Sequence, residues 1–248
     1  MKTAIVSDIH SNIEALQECL KRVDEEGVDE IVSLGDIVGY NANPNECLDI
    51  IRERNVLSIM GNHDVCAAGL REPIDFNPIA RDAILWTRRV LTAENNHFLT
   101  VLPDARRVQD RFLMVHGAVT HRDNYIFNEF DARESFELMI EKHPGVNVCF
   151  FGHTHRGIIY RLIDGRIEAF EESEDVDVQL DNASLWLVNP GSVGQPRDGD
   201  PRASFVTYDD HKKVVSYHRI DYDVPKSSRK VVNAGLPPQL GQRLLLGI

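Results

Sequence analysis

Long apolar runs are missing from this sequence, and no stretch approaches the roughly 18 consecutive apolar residues that a membrane span needs. The N-terminal MKTAIVSD enters a strand pattern at once, with no apolar leader region, so neither export nor anchoring is expected. Cysteine is scarce and scattered: Cys19, Cys47, Cys66 and Cys149 contain no CxxC pair, which argues against a disulfide framework. Cys19 falls in a helical pattern and Cys149 in a strand pattern, where buried free thiols are common. A reduced, cytoplasmic protein is expected. Basic charge is in deficit, with 27 Lys and Arg against 39 Asp and Glu and a net charge of −12. The average surface would repel a polyanion such as duplex DNA. A nucleic-acid polymer and a membrane are therefore not expected as partners. Repeats, low-complexity segments and linkers are absent as well.

What remains is ordinary globular composition, 42% hydrophobic and 27% charged over 248 residues. The first half alternates strands and helices. KTAIVS, EIVSL and VLSIM read as strands. IEALQECLKRVDEE reads as an amphipathic helix with Ile13, Leu16, Leu20 and Val23 on one face and Gly27 closing it. PNECLDIIRER can start a helix at Pro44. Short strands alternating with helices point to parallel βαβ units. A mainly helical stretch then runs from Met60 to about His97. ARRVQ and RFLMVHG are strand-like, FDARESFELMIEKHPG helical, and NVCFF a strand. From Gly157 the pattern turns mostly antiparallel, with a hairpin expected at Asp164-Gly165. SLWLVNPGS, ASFVTYDD and KVVSYHRID continue as strands. EESEDVD (171–177) reads as a solvated acidic loop, and residues from about 225 as a short helical tail. The economical reading is one α/β domain over 1–248, with two sheets and outer helices.

The chemistry gathers where strands run out. After AIVS comes Asp8-Ile9-His10, after IVSL comes Gly35-Asp36, and after LSIM comes Gly61-Asn62-His63-Asp64. After FLMV comes His116-Gly117, and after VCFF comes Gly152-His153-Thr154-His155. Residues i and i+2 of extended chain face one side, so His153 and His155 face one spot. Each piece alone has a plain explanation: a helix cap for Asp8, turns for Asp36 and Asn62, a sheet-edge histidine for His116. Independent turns do not explain carboxylate, imidazole and amide groups at five strand ends. Oxygen and nitrogen donors without thiolate suit manganese, iron or zinc. Seven donors exceed one tetrahedral shell and fit two metals sharing a bridging carboxylate, about 3.5–4 Å apart.

The ordered set DxH, GDxxG, GNHD, H and GHTH resembles the calcineurin-like metallophosphoesterase superfamily, over Asp8 to His155. NPGSVGQPRDGDPRASF (189–205) resembles its small bacterial and archaeal phosphodiesterase-like branch. The resemblance implies a four-layer αββα fold, a two-sheet sandwich flanked by helices. It implies a first metal held by Asp8, His10 and His155, a second held by Asn62, His116 and His153, and Asp36 bridging them. It implies His63 outside both shells, facing substrate as the catalytic histidine, and able to donate to the leaving oxygen if protonated. The expected activity is hydrolysis of a small phosphodiester or nucleotide by a hydroxide that the metals activate. In related protein phosphatases the GD motif continues with an Asp and an Arg, where this chain has Gly39 and Tyr40. The residue that orients His63 is thus not evident, and specialisation for phosphoproteins is disfavoured. Asp64 either orients His63 or braces its own loop.

Asn12 and Tyr40 follow metal ligands closely and are candidates to touch phosphate or leaving group, the alternatives being a helix cap and packing. His121, Arg122 and Arg197 are loop candidates for an anionic substrate, against plain solvation. Cys66 is read as packing. A nuclease, a catalytically dead interaction module like the retromer subunit of similar fold, and a metal-binding structural protein, disfavoured because His63 has no ligand job, are the other readings. The acidic balance weighs against the first, and the complete ligand set with His63 against the second. Homo-oligomerisation is left open.

Overall fold

The computed structural model describes residues 1–171 and 175–248. Strands β1 (Lys2–Val6), β2 (Glu30–Ser33) and β3 (Leu57–Ser58) run parallel, joined by helices α1 (Ile13–Glu25) and α2 (Pro44–Glu53). Helices α3 (Asn62–Ala67), α4 (Pro78–Val90) and α5 (Ala93–Thr100) follow. Next come β4 (Ala105–Val108), β5 (Phe112–Val115), α6 (Glu129–Lys142) and β6 (Val148–Phe150). The chain continues through β7 (Gly157–Ile163), β8 (Arg166–Glu171), β9 (Asp177–Gln179), β10 (Leu185–Pro190), β11 (Ala203–Asp209) and β12 (Val214–Ile220). It closes with α7 (Val224–Asn233) and α8 (Pro238–Leu246).

Two mixed six-stranded sheets result, ordered β3-β2-β1-β11-β12-β9 and β4-β5-β6-β10-β7-β8. Strand alternation builds the layers. Ile5 of β1 and Phe112, Met114 and Phe150 of β5 and β6 pack into the core between the sheets. Ala4 and Val6 face the other way, against Leu16, Cys19 and Leu20 of α1. Leu113, Val115 and Cys149 likewise face Phe136 and Met139 of α6. β1, β5 and β6 are thus apolar on both faces, as strands covered on both sides require. The layers are helix, sheet, sheet, helix, the expected fold.

Local rules account for most boundaries. The Asn12 side chain caps α1 by accepting from Ala15 N, and Gly27 ends the turn at φ +59°. Asp164 and Gly165 both take positive φ, as a type I′ hairpin requires. All four cysteines are buried and free.

Two elements depart from expectation. The acidic run is not simply a loop: Glu171 ends β8 and Asp177 opens β9, which pairs with β12, while 172–174 lie outside the described residues. The second half is mostly antiparallel, as expected, and β10 in addition lies parallel to β6 of the first half. The tail is two packed helices whose Val231, Leu240 and Leu244 are buried with Tyr40 and Ala83 in their own cluster. No helix among the described residues is long and apolar enough to cross a membrane.

Candidate metal centre and adjoining pocket

The five strand exits meet at one edge of the two sheets. The chain turns there through backbone that side chains normally avoid. Asp8, His10, Ser11, Asp36, Tyr40, His153 and His155 all have φ between +47° and +68°. Such conformations cost on the order of 1–3 kcal/mol each and persist only where surroundings impose them. Here they are imposed by hydrogen bonds between the turns. Asp8 N donates to Gly35 O at 3.1 Å, His10 N to Asp36 O at 2.9 Å, and His153 N to Asp8 Oδ2 at 3.1 Å. The NPGS segment straps these turns from outside. Ser192 Oγ and Gly194 N donate to Asp8 O at 2.9 Å each, and Asn189 Nδ2 donates to Gly152 O at 2.8 Å.

The donor atoms converge in two groups around Asp36. His10 Nε2 and His155 Nε2 lie 3.2 Å apart, with Asp8 Oδ1 at 3.3 Å from His155 Nε2. His116 Nε2 lies 3.2 Å from His153 Nδ1 and 3.0 Å from Asn62 Oδ1. One oxygen, Asp36 Oδ2, is 3.6 Å from His10 Nε2 and 3.4 Å from His116 Nε2. The sets Asp8–His10–His155 and Asp36–His116–His153 each have the spacing of a metal cage. His10, Asp36 and His63 form a third group with the same spacing.

Tautomers follow from the far side of each ring. His10 Nδ1 faces Val38 O, His116 Nδ1 faces Leu34 O, His155 Nδ1 faces Gln195 O and His153 Nε2 faces Asp123 O, at 2.6–3.2 Å. A carbonyl only accepts, so those nitrogens carry the protons. In a neutral ring the nitrogen that faces inward then holds a lone pair, and two pairs of inward nitrogens stand 3.2 Å apart. They repel unless a proton or a cation lies between. Asp8 Oδ1, fully buried, has no hydrogen-bond donor at all. Leaving a buried acceptor unmet costs about 1–3 kcal/mol or more. The donor set fits a cation at both places.

The electrostatics agree. Burial pulls the His116 imidazole down, but Asp36 and Asp8 outweigh it and hold it up at about 9. Burial raises both Asp8 and Asp36, yet the surrounding imidazoles outweigh that and hold both carboxyls below the usual carboxylate range. Burial pushes His153 down to about 3. The protein's field thus keeps its acids ionised, most of its imidazoles neutral, and a site for positive charge at the second group.

His63 lies beside this centre on the wall of a cavity of about 260 Å³. Its ring sits 4.4 Å from Tyr40, 4.8 Å from His10 and 5.0 Å edge-on from Phe76. Burial holds it down at about 4 although Asp36 pulls the other way, so it is neutral at pH 7. An aromatic box therefore orients His63 where a carboxylate was missing. Gly39, at φ +100°, leaves room for the ring, since a Cβ there would stand 2.5 Å from His63 Nδ1. Gly61 is needed likewise, because a Cβ would run into Asp36 Oδ1. Asp64 braces loops: its carboxylate accepts from Val38 N at 3.1 Å and Gly61 N at 3.0 Å. Burial and the Asp36 charge raise it to about 6.

The structure brings Asp8, His10, Asp36, Asn62, His63, His116, His153 and His155 together, with Tyr40 and Arg197 on the adjoining cavity. Asn12 is engaged within the fold and does not line the cavity. Its Oδ1 caps α1 and accepts from Ser227 Oγ at 2.9 Å, and its Nδ2 donates to Gly194 O at 2.9 Å. His121 is exposed, and Arg122 pairs with Asp104 outside the cavity. Arg71, Phe76, Tyr125 and Arg243 line the cavity and carried no signal in the sequence. They stand on loops and helices that only tertiary packing brings there.

With this geometry in hand, comparison with known proteins is specific. The model of the calcineurin-like phosphoesterase superfamily domain matches residues 1–213, and the chain belongs to that superfamily of metal-dependent phosphoesterases. An uncharacterized protein of Methanocaldococcus jannaschii is 38% identical over 98% of this chain and 97% of its own. The crystal structure of a metallophosphoesterase from Sphaerobacter thermophilus superposes with a TM-score of 0.85 at 34% identity, covering 100% of this chain and 99% of that one. A symmetrical bis(5'-nucleosyl)-tetraphosphatase of Actinobacillus pleuropneumoniae is 38% identical over 68 residues, 26% of this chain and 25% of its own.

Proposed function

We propose that this protein hydrolyses a small phosphodiester or nucleotide at a two-metal centre. The reading rests on one observation above others: two pairs of inward imidazole nitrogens 3.2 Å apart, flanking one Asp36 oxygen, with Asp8 Oδ1 buried and unmet beside them. Asp8, His10 and His155 would hold one ion, Asn62, His116 and His153 the other, with Asp36 shared. The ions, whether manganese, iron or zinc, would supply a hydroxide near neutral pH and positive charge against the phosphoryl oxygens.

The chain's own residues do the rest. The carbonyls of Val38, Leu34, Gln195 and Asp123 fix each imidazole so that the correct nitrogen faces inward. His63 faces the cavity as a neutral ring, a hydrogen-bond donor to the phosphoryl or leaving oxygen rather than a charged acid. Tyr40 and Phe76 exclude water around it. A cavity of about 260 Å³ admits a small molecule and not a folded protein surface. The partial likeness to a dinucleoside tetraphosphatase supports a nucleotide-like substrate.

The test is metal analysis of the purified protein, then turnover of bis(4-nitrophenyl) phosphate against 4-nitrophenyl phosphate with Mn²⁺ added. Two equivalents of metal and faster diester turnover are expected. Full metal loading without turnover of any phosphoester would instead favour a binding module on this fold.

A further inference from the structure

Most part-buried arginines of this acidic chain find a carboxylate: Arg71 pairs with Asp123, Arg88 with Glu72, Arg111 with Glu30 and Arg122 with Asp104. Arg197 and Arg243 pair with no Asp or Glu among the described residues, and both line the cavity beside His63. Arg197 Nη2 donates to Tyr40 Oη at 3.3 Å and to Gln195 Oε1 at 3.0 Å, and its buried Nε has no acceptor. Arg243 Nε donates to Ile248 O at 2.9 Å. Tyr40 and Gln195 are neutral, the Ile248 oxygen belongs to the last residue of the sequence, and neither guanidinium pairs with an Asp or Glu among the described residues. Each lies in the field of the other, and burial together with Arg197 pulls the Arg243 guanidinium below its ordinary range. The cavity's remaining unpaired acid, Asp75, is exposed and makes no ion pair.

Both arginines are held in place rather than loosely solvated. Arg197 N donates to the carbonyl of His155 at 3.2 Å, which ties its loop to the metal centre. Gly199 N donates to Gly247 O at 2.9 Å, which ties the same loop to the end of α8. Arg243 on α8 lies beyond residues 1–213, so the family pattern does not supply it. Two fixed guanidiniums that line one cavity without an Asp or Glu partner, one of them with a buried and unmet Nε, make an anion site, and guanidinium geometry suits phosphate oxygens.

We infer that Arg197 and Arg243 bind a second phosphoryl group of the substrate, next to the one that reacts, and so select compounds with two or more linked phosphoryl groups. The inference rests on the phosphoesterase reading and specifies its substrate class. A pair of charge-assisted contacts that AMP cannot make should favour ADP by about 10- to 100-fold. The test is calorimetric binding of ADP and AMP to the Mn²⁺-loaded protein, with Arg197→Gln and Arg243→Gln beside the wild type. The wild type should bind ADP at least tenfold tighter than AMP, and each variant should bring that ratio close to one. Metal content and thermal midpoint check that the variants are folded. Because the two residues sit on different elements, either variant alone decides the matter should the other fail to fold. A wild-type ratio near one, or an unchanged ratio in a folded variant, would overturn the inference. ADP preference in a protein that hydrolyses no phosphoester would remove the hydrolase reading and leave the arginine site standing. Diester turnover without ADP preference would do the reverse.

Discussion

His63 carries the sharpest prediction at the scale of single residues. It is assigned no metal, yet its ring is enclosed by Tyr40, His10 and Phe76 and faces the cavity. His63→Ala should retain metal and lose turnover by about 10²–10⁴-fold, the usual range for a proton-transferring or hydrogen-bonding catalytic side chain. Wild-type rates on both good and poor leaving groups would remove His63 from the chemistry. Gly39→Ala should mimic this loss, because the new methyl group displaces the ring and the backbone is strained at φ +100°. Its thermal midpoint should fall too, while metal equivalents measured by mass spectrometry should stay near wild type. These residues differ in how they show in sequence. Asp8, Asp36, His116, His153 and His155 were legible because polar groups at the ends of apolar runs are conspicuous. The carbonyls of Val38, Leu34, Gln195 and Asp123, which set every tautomer, are invisible there because each residue has one. Asn12 was read two ways, and its cap role won: its amide is wholly engaged within the fold.

At the scale of elements, α7 is clamped to α1 through one buried acid. Glu14 lies 2.6 Å from Lys230 Nζ and 3.2 Å from Lys226 Nζ, and accepts from Ser227 Oγ at 3.2 Å. Burial pushes the Glu14 carboxyl up, but the two ammonium groups outweigh it and hold it below its ordinary value of 4.5. A carboxyl depressed on folding stabilises above its unfolded value, and that stability disappears as pH falls through the folded value. The wild type should therefore lose stability below about pH 4.5, and Glu14→Gln should lose less over that interval. Near neutral pH the substitution should cost about 1 kcal/mol, discounted for the exposed lysines, and lower the midpoint by a few degrees. Equal pH slopes in wild type and variant, read by calorimetry, would show that the clamp contributes nothing. The two terminal helices were legible as helices from composition. Their place against Tyr40 was not, because it depends on which apolar faces meet. Strand β9 was missed because an acidic run next to it reads as solvent-exposed chain, and pairing with β12 overrides that preference.

For the whole molecule, the candidate metal ligands come from both sheets. Asp8, Asp36 and Asn62 follow strands of the first sheet, and His116 and His153 follow strands of the second. Cation binding should therefore stabilise the folded chain against global unfolding. Mn²⁺ at a hundred times its dissociation constant adds about 2.7 kcal/mol per site. The thermal midpoint should rise with added Mn²⁺ and fall on chelation, and Asp36→Ala should abolish the response. An unchanged midpoint would mean that no cation is held between the sheets. The layered fold was legible at this scale from the change at Gly157 and the apolar strands. The mixed pairing of β10 was not, since sequence order says nothing of which neighbour a strand takes.

The strap that fixes Asp8 comes from Ser192 and Gly194, and β1 pairs with β11 from Lys2 to Ile5. During synthesis the first strand thus leaves the ribosome long before its partner exists. The early segments must wait, with apolar edges and acidic turns uncovered, until more than three quarters of the polypeptide has emerged. Loops of that length close slowly, so folding should be late, post-translational in its final step and dependent on protection of the nascent chain.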